Sequence, residues 1–72
     1  MQRELRKYLA SGQLVDMIYL DRRGRMSKRR VRLHAITDGQ VKAYCFARRA
    51  YRVFALANIL AVQPVARRSA AG

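Results

Sequence analysis

The sequence predicts a mainly β fold: a small five-stranded antiparallel barrel preceded by one short N-terminal α-helix. Three observations carry that expectation. Short segments rich in β-branched and aromatic residues recur at close spacing between Leu14 and Pro64. Asp38-Gly39 lies between two alternating segments, a strong two-residue hairpin signal. Helical spacing of apolar residues is confined to the first residues of the chain.

Residues 2–11 read as the helix. Leu5, Tyr8 and Leu9 fall at i, i+3 and i+4 and make one apolar stripe, with Gly12 suited to the C′ position. The helix is expected to lie across one open end of the barrel. The first strand is "LVDMIYLD" (14–21), followed by a turn, "DRRG" (21–24), in which Gly24 can take positive φ. In the second, "MSKRRVRLHAI" (26–36), Val31, Leu33 and Ala35 face one way, and Arg30, Arg32 and His34 the other. "TDGQ" (37–40) turns into the third strand, "VKAYCFA" (41–47). After "RRA", the fourth strand "YRVFAL" (51–56) puts Arg52 on the face of Phe54 and Leu56. "ANI" (57–59) is a tight turn before the last strand, "LAVQP" (60–64). Closing such a sheet removes most of its exposed edges. The organisation is therefore a helix (1–12), a barrel (13–64) and a basic tail (65–72) expected to fray.

At 72 residues the chain is one small domain, and a chain of this size buries only about 60% of the surface it exposes when unfolded. Sixteen Lys and Arg against four Asp and Glu give a net charge of +12. An excess of one sign works against compaction, so it points to a polyanionic partner, and nucleic acid is the commonest. An anionic membrane would need a basic amphipathic helix with large apolar residues opposite, and the one helix candidate is short. A single cysteine excludes an internal disulfide and a cysteine-based zinc site. No apolar run approaches a membrane span, and the N-terminus lacks the apolar core of a secretory signal. A cytoplasmic setting is the expectation. The alternative to nucleic acid is a protein partner or self-assembly into a homo-oligomer, with the charge serving solubility.

In order along the chain, "MIYLDRRG", "RVRL", "DG", "AYCF" and "RVFALANI" resemble the blocks of the WYL domain. That family is a bacterial barrel of the Sm-like, SH3-like type found in transcriptional regulators. The resemblance runs through roughly residues 14–62, and of the signature triplet only Tyr44 is kept, within Ala43-Tyr44-Cys45. It implies a regulatory, ligand-sensing module that binds nucleic acid or a nucleotide-like effector. WYL domains are usually attached to a helix-turn-helix domain. None is visible here, so the chain reads as a stand-alone unit of this kind.

By that resemblance Arg30, Tyr44 and Arg52 are the candidate ligand contacts, with Tyr19 as a fourth; Arg32, Arg48 and Arg49 are further basic candidates beside them. A guanidinium pairs bidentately with phosphate, and a tyrosine ring offers a face on which any base can stack. Such a site would favour single strands or mononucleotides over the edges of paired bases. The plainer alternative is that the arginines only solvate the barrel and Tyr44 packs against it. A second basic feature, "RRGRMSKRRVR" (22–32), holds seven bases and no acid. Within it Arg22, Arg23, Arg25, Lys28 and Arg29 suit non-specific phosphate contact. His34 has no second histidine or cysteine at metal spacing and reads as a structural or surface residue, and Cys45 reads as a small core hydrophobe. The four acids, Glu4, Asp16, Asp21 and Asp38, are scattered, and no catalytic pair or phosphate loop is present. The expectation is a binding module, with no cofactor, metal or catalysis implied.

Overall fold

The structure, a computed structural model, describes residues 2–65. One helix, α1 (Gln2–Ser11), precedes five strands: β1 (Leu14–Leu20), β2 (Met26–Thr37), β3 (Gln40–Cys45), β4 (Ala50–Ala55) and β5 (Ile59–Pro64). A single 3-10 turn, Leu56–Asn58, joins β4 to β5. The strands form one antiparallel sheet in the order β4-β3-β2-β1-β5. The expected tail, residues 65–72, lies outside the described residues except for Val65, whose N–H donates to the Leu14 carbonyl at 2.9 Å.

The turns form for the reasons their residues supply. Gly12 takes φ +71° at the end of α1, and Gln13 N–H donates to the Tyr8 carbonyl, the 6→1 bond of a Schellman cap. In the β1–β2 turn the Asp21 carboxylate accepts the backbone N–H groups of Arg23 and Arg25 at 2.8 and 2.9 Å, and Gly24 takes φ +77°. Asp38 and Gly39 both have positive φ, as a two-residue type I′ hairpin requires.

The sheet curls because β2 is long and bent. Its first part pairs with β1 and its second with β3, and the two ladders share only Val31 and Arg32. A bulge at His34 changes the alternation: Leu33 pairs with Ala43, but Ala35 pairs with Lys42 and Ile36 with buried Val41. Ile36, not Ala35, therefore continues the core face beyond His34. The curl brings β1 against β4, three places away in the sheet. The Tyr19 ring packs edge-on to Phe54 at 5.0 Å, and its hydroxyl accepts the Ala55 N–H at 3.1 Å. No ladder pairs β4 with β5 among the described residues, so the curled sheet keeps a seam between these two edge strands.

Inside lie Val15, Met17, Val31, Leu33, Val41, Ala43, Cys45, Phe54 and Ile59, and Leu5 of α1 completes this core. Cys45 packs there as a free, buried thiol. Tyr8 and Leu9 flank Leu5, so the helical stripe read from the sequence is the surface that docks α1 on β2 and β5. With the inner face filled, the opposite face of β2, β3 and β4 is left to solvent.

Candidate nucleic-acid interface

On that outer face the ladders fix one row of side chains. Arg32 pairs with Tyr44, and Tyr44 with Tyr51, so the three residues stand side by side across β2, β3 and β4. Paired residues project to the same side of a sheet. One step along, the Phe46 N–H donates to the Arg30 carbonyl at 3.2 Å, setting Phe46 beside Arg30. The bulge lifts His34 out of the core alternation and against Tyr51.

The rings form one connected group. Phe46–Tyr44, Tyr44–Tyr51 and Tyr51–His34 have centroid separations of 5.1, 5.3 and 5.2 Å and interplanar angles of 77°, 79° and 64°. Each is an edge-to-face contact, the arrangement that ring quadrupoles favour. Lys42 holds its ammonium 5.6 Å from the Tyr51 centroid. Tyr51 is 55% exposed and Phe46 42%. Each contact covers one face of one ring, and the exposed surface of Tyr51 and Phe46 leaves ring area that a further planar group can cover. The depression they border has a volume of about 520 Å³, with Arg32 on one side and Leu9 and Gly12 at the end of α1 closing another.

Charge around the rings is of one sign except at Asp16. That carboxylate, 7% exposed, accepts from Nε and Nη2 of Arg30 at 3.1 and 3.3 Å and has the Lys28 ammonium at 3.8 Å. The hydrogen bond from Arg30 holds the Asp16 carboxyl below its ordinary pKa against the opposing effect of burial, with the charges of Arg30 and Lys28 adding to the shift. Asp16 likewise raises the pKa of Arg30. Arg30 is thus anchored on one side while 54% of its side chain stays in solvent. Arg32 makes no such pair among the described residues.

The sequence-derived candidates separate into three places. Arg30, Arg32 and Tyr44 stand together on the outer face. Arg52 does not join them: it pairs with buried Ala43, so it projects to the inner side of β4, at the rim of the barrel, where Tyr19 also lies. Arg48 and Arg49 occupy the exposed turn between β3 and β4, beyond Phe46, with Arg49 at φ +54°. In the basic run, Arg22, Arg23 and Arg25 are exposed in the β1–β2 turn, whereas Lys28 stands beside Asp16 on the outer face. Arg29 pairs with buried Met17 and faces inward at the rim, its Nε donating to Ser27 Oγ at 3.3 Å. Reading the sequence missed Phe46, Tyr51, Lys42 and His34 as partners of Tyr44. The spacing of Lys42, Tyr44 and Phe46 was visible, but Tyr51 and His34 needed the hairpin register and the bulge. No group of three or more His, Cys, Asp or Glu among the described residues could hold a metal ion.

No family model and no curated protein matches the sequence. Among solved structures the chain is similar to part of proteasome accessory factor B/C of Arthrobacter aurescens. The TM-score is 0.80 at 19% identity, over 96% of this chain. The fold is WYL-like. The chain spans 12% of the length of that protein, so the likeness concerns one small unit of it. Within this fold Ala43-Tyr44-Cys45 alternates in, out, in. Ala43 and Cys45 are buried in the core and Tyr44 is left on the ring surface. No helix among the described residues is long and apolar enough to cross a membrane.

Proposed function

We propose that this WYL-like unit is a regulatory binding module, not an enzyme, and that it captures single-stranded nucleic acid or a nucleotide-like ligand on the outer face of β2, β3 and β4. The observation that carries the reading is the ring row Phe46–Tyr44–Tyr51, exposed at Phe46 and Tyr51 and half-buried at Tyr44, held between Arg30, Arg32 and Lys42. Bases stack on the ring faces, and the guanidinium forks take the phosphates between them. Stacking needs unpaired bases, so single strands are preferred to duplex. Comparable aromatic sheet surfaces take about two or three bases. The resemblance to WYL domains supports a place in transcription regulation. The acids support binding over catalysis, since Asp16 is engaged with Arg30 and Asp21 serves its turn.

Anisotropy of a labelled single-stranded oligonucleotide tests this, with Arg32→Ala compared against Arg67→Ala, which makes the same charge change outside the described residues. The reading expects Arg32→Ala, and Tyr44→Ala without any charge change, to weaken binding well beyond Arg67→Ala. Equal losses from the two arginines, with none from Tyr44→Ala, would reduce the interaction to diffuse attraction.

The free edges of β4 and β5 favour a second reading, self-assembly or a protein partner, with Val53 58% and Leu60 46% exposed along them. Light scattering with and without oligonucleotide separates the two: a stable oligomer indifferent to nucleic acid supports assembly.

A further inference from the structure

The two edge strands differ in what their backbones offer across the seam. Successive residues of a strand send their N–H and C=O groups to opposite sides. The Leu56 N–H, just past β4, donates to the Gly39 carbonyl on the β3 side, whereas the Ala55 N–H turns away from β3 to the Tyr19 hydroxyl. Phe54 and Arg52 therefore bond β3, and Val53 and Tyr51 direct their N–H and C=O groups outward. No described residue takes these outward groups. In β5 the Val65 N–H donates to Leu14 of β1, so Gln63 and Ala61 bond β1, and Val62 and Pro64 are the outward positions. Proline has no N–H, which blunts this edge. The β4 edge has no such block.

The side chains along β4 define what fits it. Tyr51 and Val53 stand on the outer side, 55% and 58% exposed, and Arg52 between them projects to the inner side. Arg48 and Arg49 lead into the strand, and no acid occurs anywhere from Gln40 to Pro64. None of these arginines has an ion pair among the described residues. Asp21 is the one carboxylate of the rim groove that Arg52 also lines. A second copy of the chain is a poor occupant. Two copies pairing antiparallel through Tyr51 and Val53 set the Arg52 of each opposite that of the other, and like charges directly opposite are destabilising. Joining β4 of one copy to β5 of another meets Pro64, and each copy carries a net charge of +12.

We propose that the β4 edge binds an extended acidic segment of a partner protein by strand addition. The inference names the edge and the occupant for the protein-partner reading above and rests on that reading, not on nucleic-acid binding. The added strand exchanges backbone hydrogen bonds with Tyr51 and Val53. Running antiparallel to β4, it sets apolar residues beside Tyr51 and Val53, and the carboxylate between them beside Arg52. Acids that follow reach Arg48 and Arg49.

Anisotropy of the full chain with a labelled, N-acetylated peptide, Val-Glu-Val-Thr-Glu-Glu, tests the proposal. Two controls keep its charge: one has the valines adjacent, and the other is N-methylated at both valines, which removes the donors that face β4. The alternating peptide is expected to bind at least about tenfold more tightly than either. Val53→Pro removes an outward N–H and no ladder bond, and should weaken the peptide by at least about tenfold. Arg52→Ala should weaken it more than Arg67→Ala, which makes the same charge change outside the described residues. Thermal melts confirm that the fold is retained, and if Val53→Pro is unfolded the N-methylated peptide on the unaltered chain decides. Equal affinity for the three peptides overturns the proposal and leaves diffuse charge attraction. An oligomer, seen by light scattering, that Val53→Pro dissolves also overturns it while upholding the assembly reading, since a second copy then holds the edge.

Discussion

Asp16 and Arg30 face each other across the β1–β2 ladder, and the carboxylate grips the guanidinium at 3.1 and 3.3 Å. It is the ion pair that fixes one side of the ring surface. The hydrogen bond from Arg30 lowers the Asp16 pKa in the folded chain. A depressed folded-state pKa contributes stability that is fully present above the unfolded value, about 3.9 for aspartate, and is lost as pH falls through the folded one. Denaturant melts over an acid series should therefore show stability declining below that range, with a shallower decline in Asp16→Asn. Removing an acid should tighten oligonucleotide binding if only net charge matters. We expect Asp16→Asn to bind more weakly at neutral pH, because Arg30 loses its anchor. Asp38→Asn, with the same charge change in an exposed turn, supplies the comparison.

Leu5 is the one residue by which α1 enters the core, and it is fully buried. Leu5→Ala removes apolar contact with the barrel and opens a cavity, so it should cost about 2–5 kcal/mol. In a domain of this size that is a large part of the total. Chemical denaturation measures it. A loss within experimental scatter would mean that α1 does not seal the barrel.

Gly39 takes φ +75° in the β2–β3 turn, and nothing lies within 4 Å of a Cβ built there. Gly39→Ala should thus be destabilising through the backbone alone, by about 1–2 kcal/mol. The β2–β3 register that aligns Arg32 with Tyr44 starts at this turn. Partial loss of oligonucleotide affinity should accompany the loss of stability.

Arg32 stands beside Tyr44, and among the described residues no carboxylate pairs with it. If its guanidinium neutralises one phosphate of a single strand, Arg32→Ala should lower the slope of log affinity against log salt by about 0.7. Tyr44→Ala should weaken binding at every salt concentration and leave that slope unchanged.

Much of this architecture was legible in the sequence. The helix bounds, Gly12 as its cap, both glycine turns and Cys45 as a core residue follow from local periodicity and turn chemistry, which act over a few residues. The β2 bulge was not legible, because one inserted residue leaves the pattern of "VRLHAI" unaltered while changing which later side chain faces the core. The site was less legible than the fold. Tyr44 and Arg32 were singled out, but the surface on which they stand depends on pairings with Tyr51 and His34 that form through long-range register. Arg52 was correctly placed on the face of Phe54. That same placement sets it across the sheet from Tyr44, so the arginines first grouped by resemblance divide between two openings. Asp16 was read as one scattered acid, since only the β1–β2 register shows it opposite Arg30.

Chemical-shift mapping with a short single-stranded oligonucleotide tests the central claim most directly, because it reports every residue at once. The account predicts that the largest changes fall on the Phe46, Tyr44 and Tyr51 rings and on Arg30, Arg32 and His34. Changes confined to the β1–β2 turn, with the three rings unmoved, would contradict it.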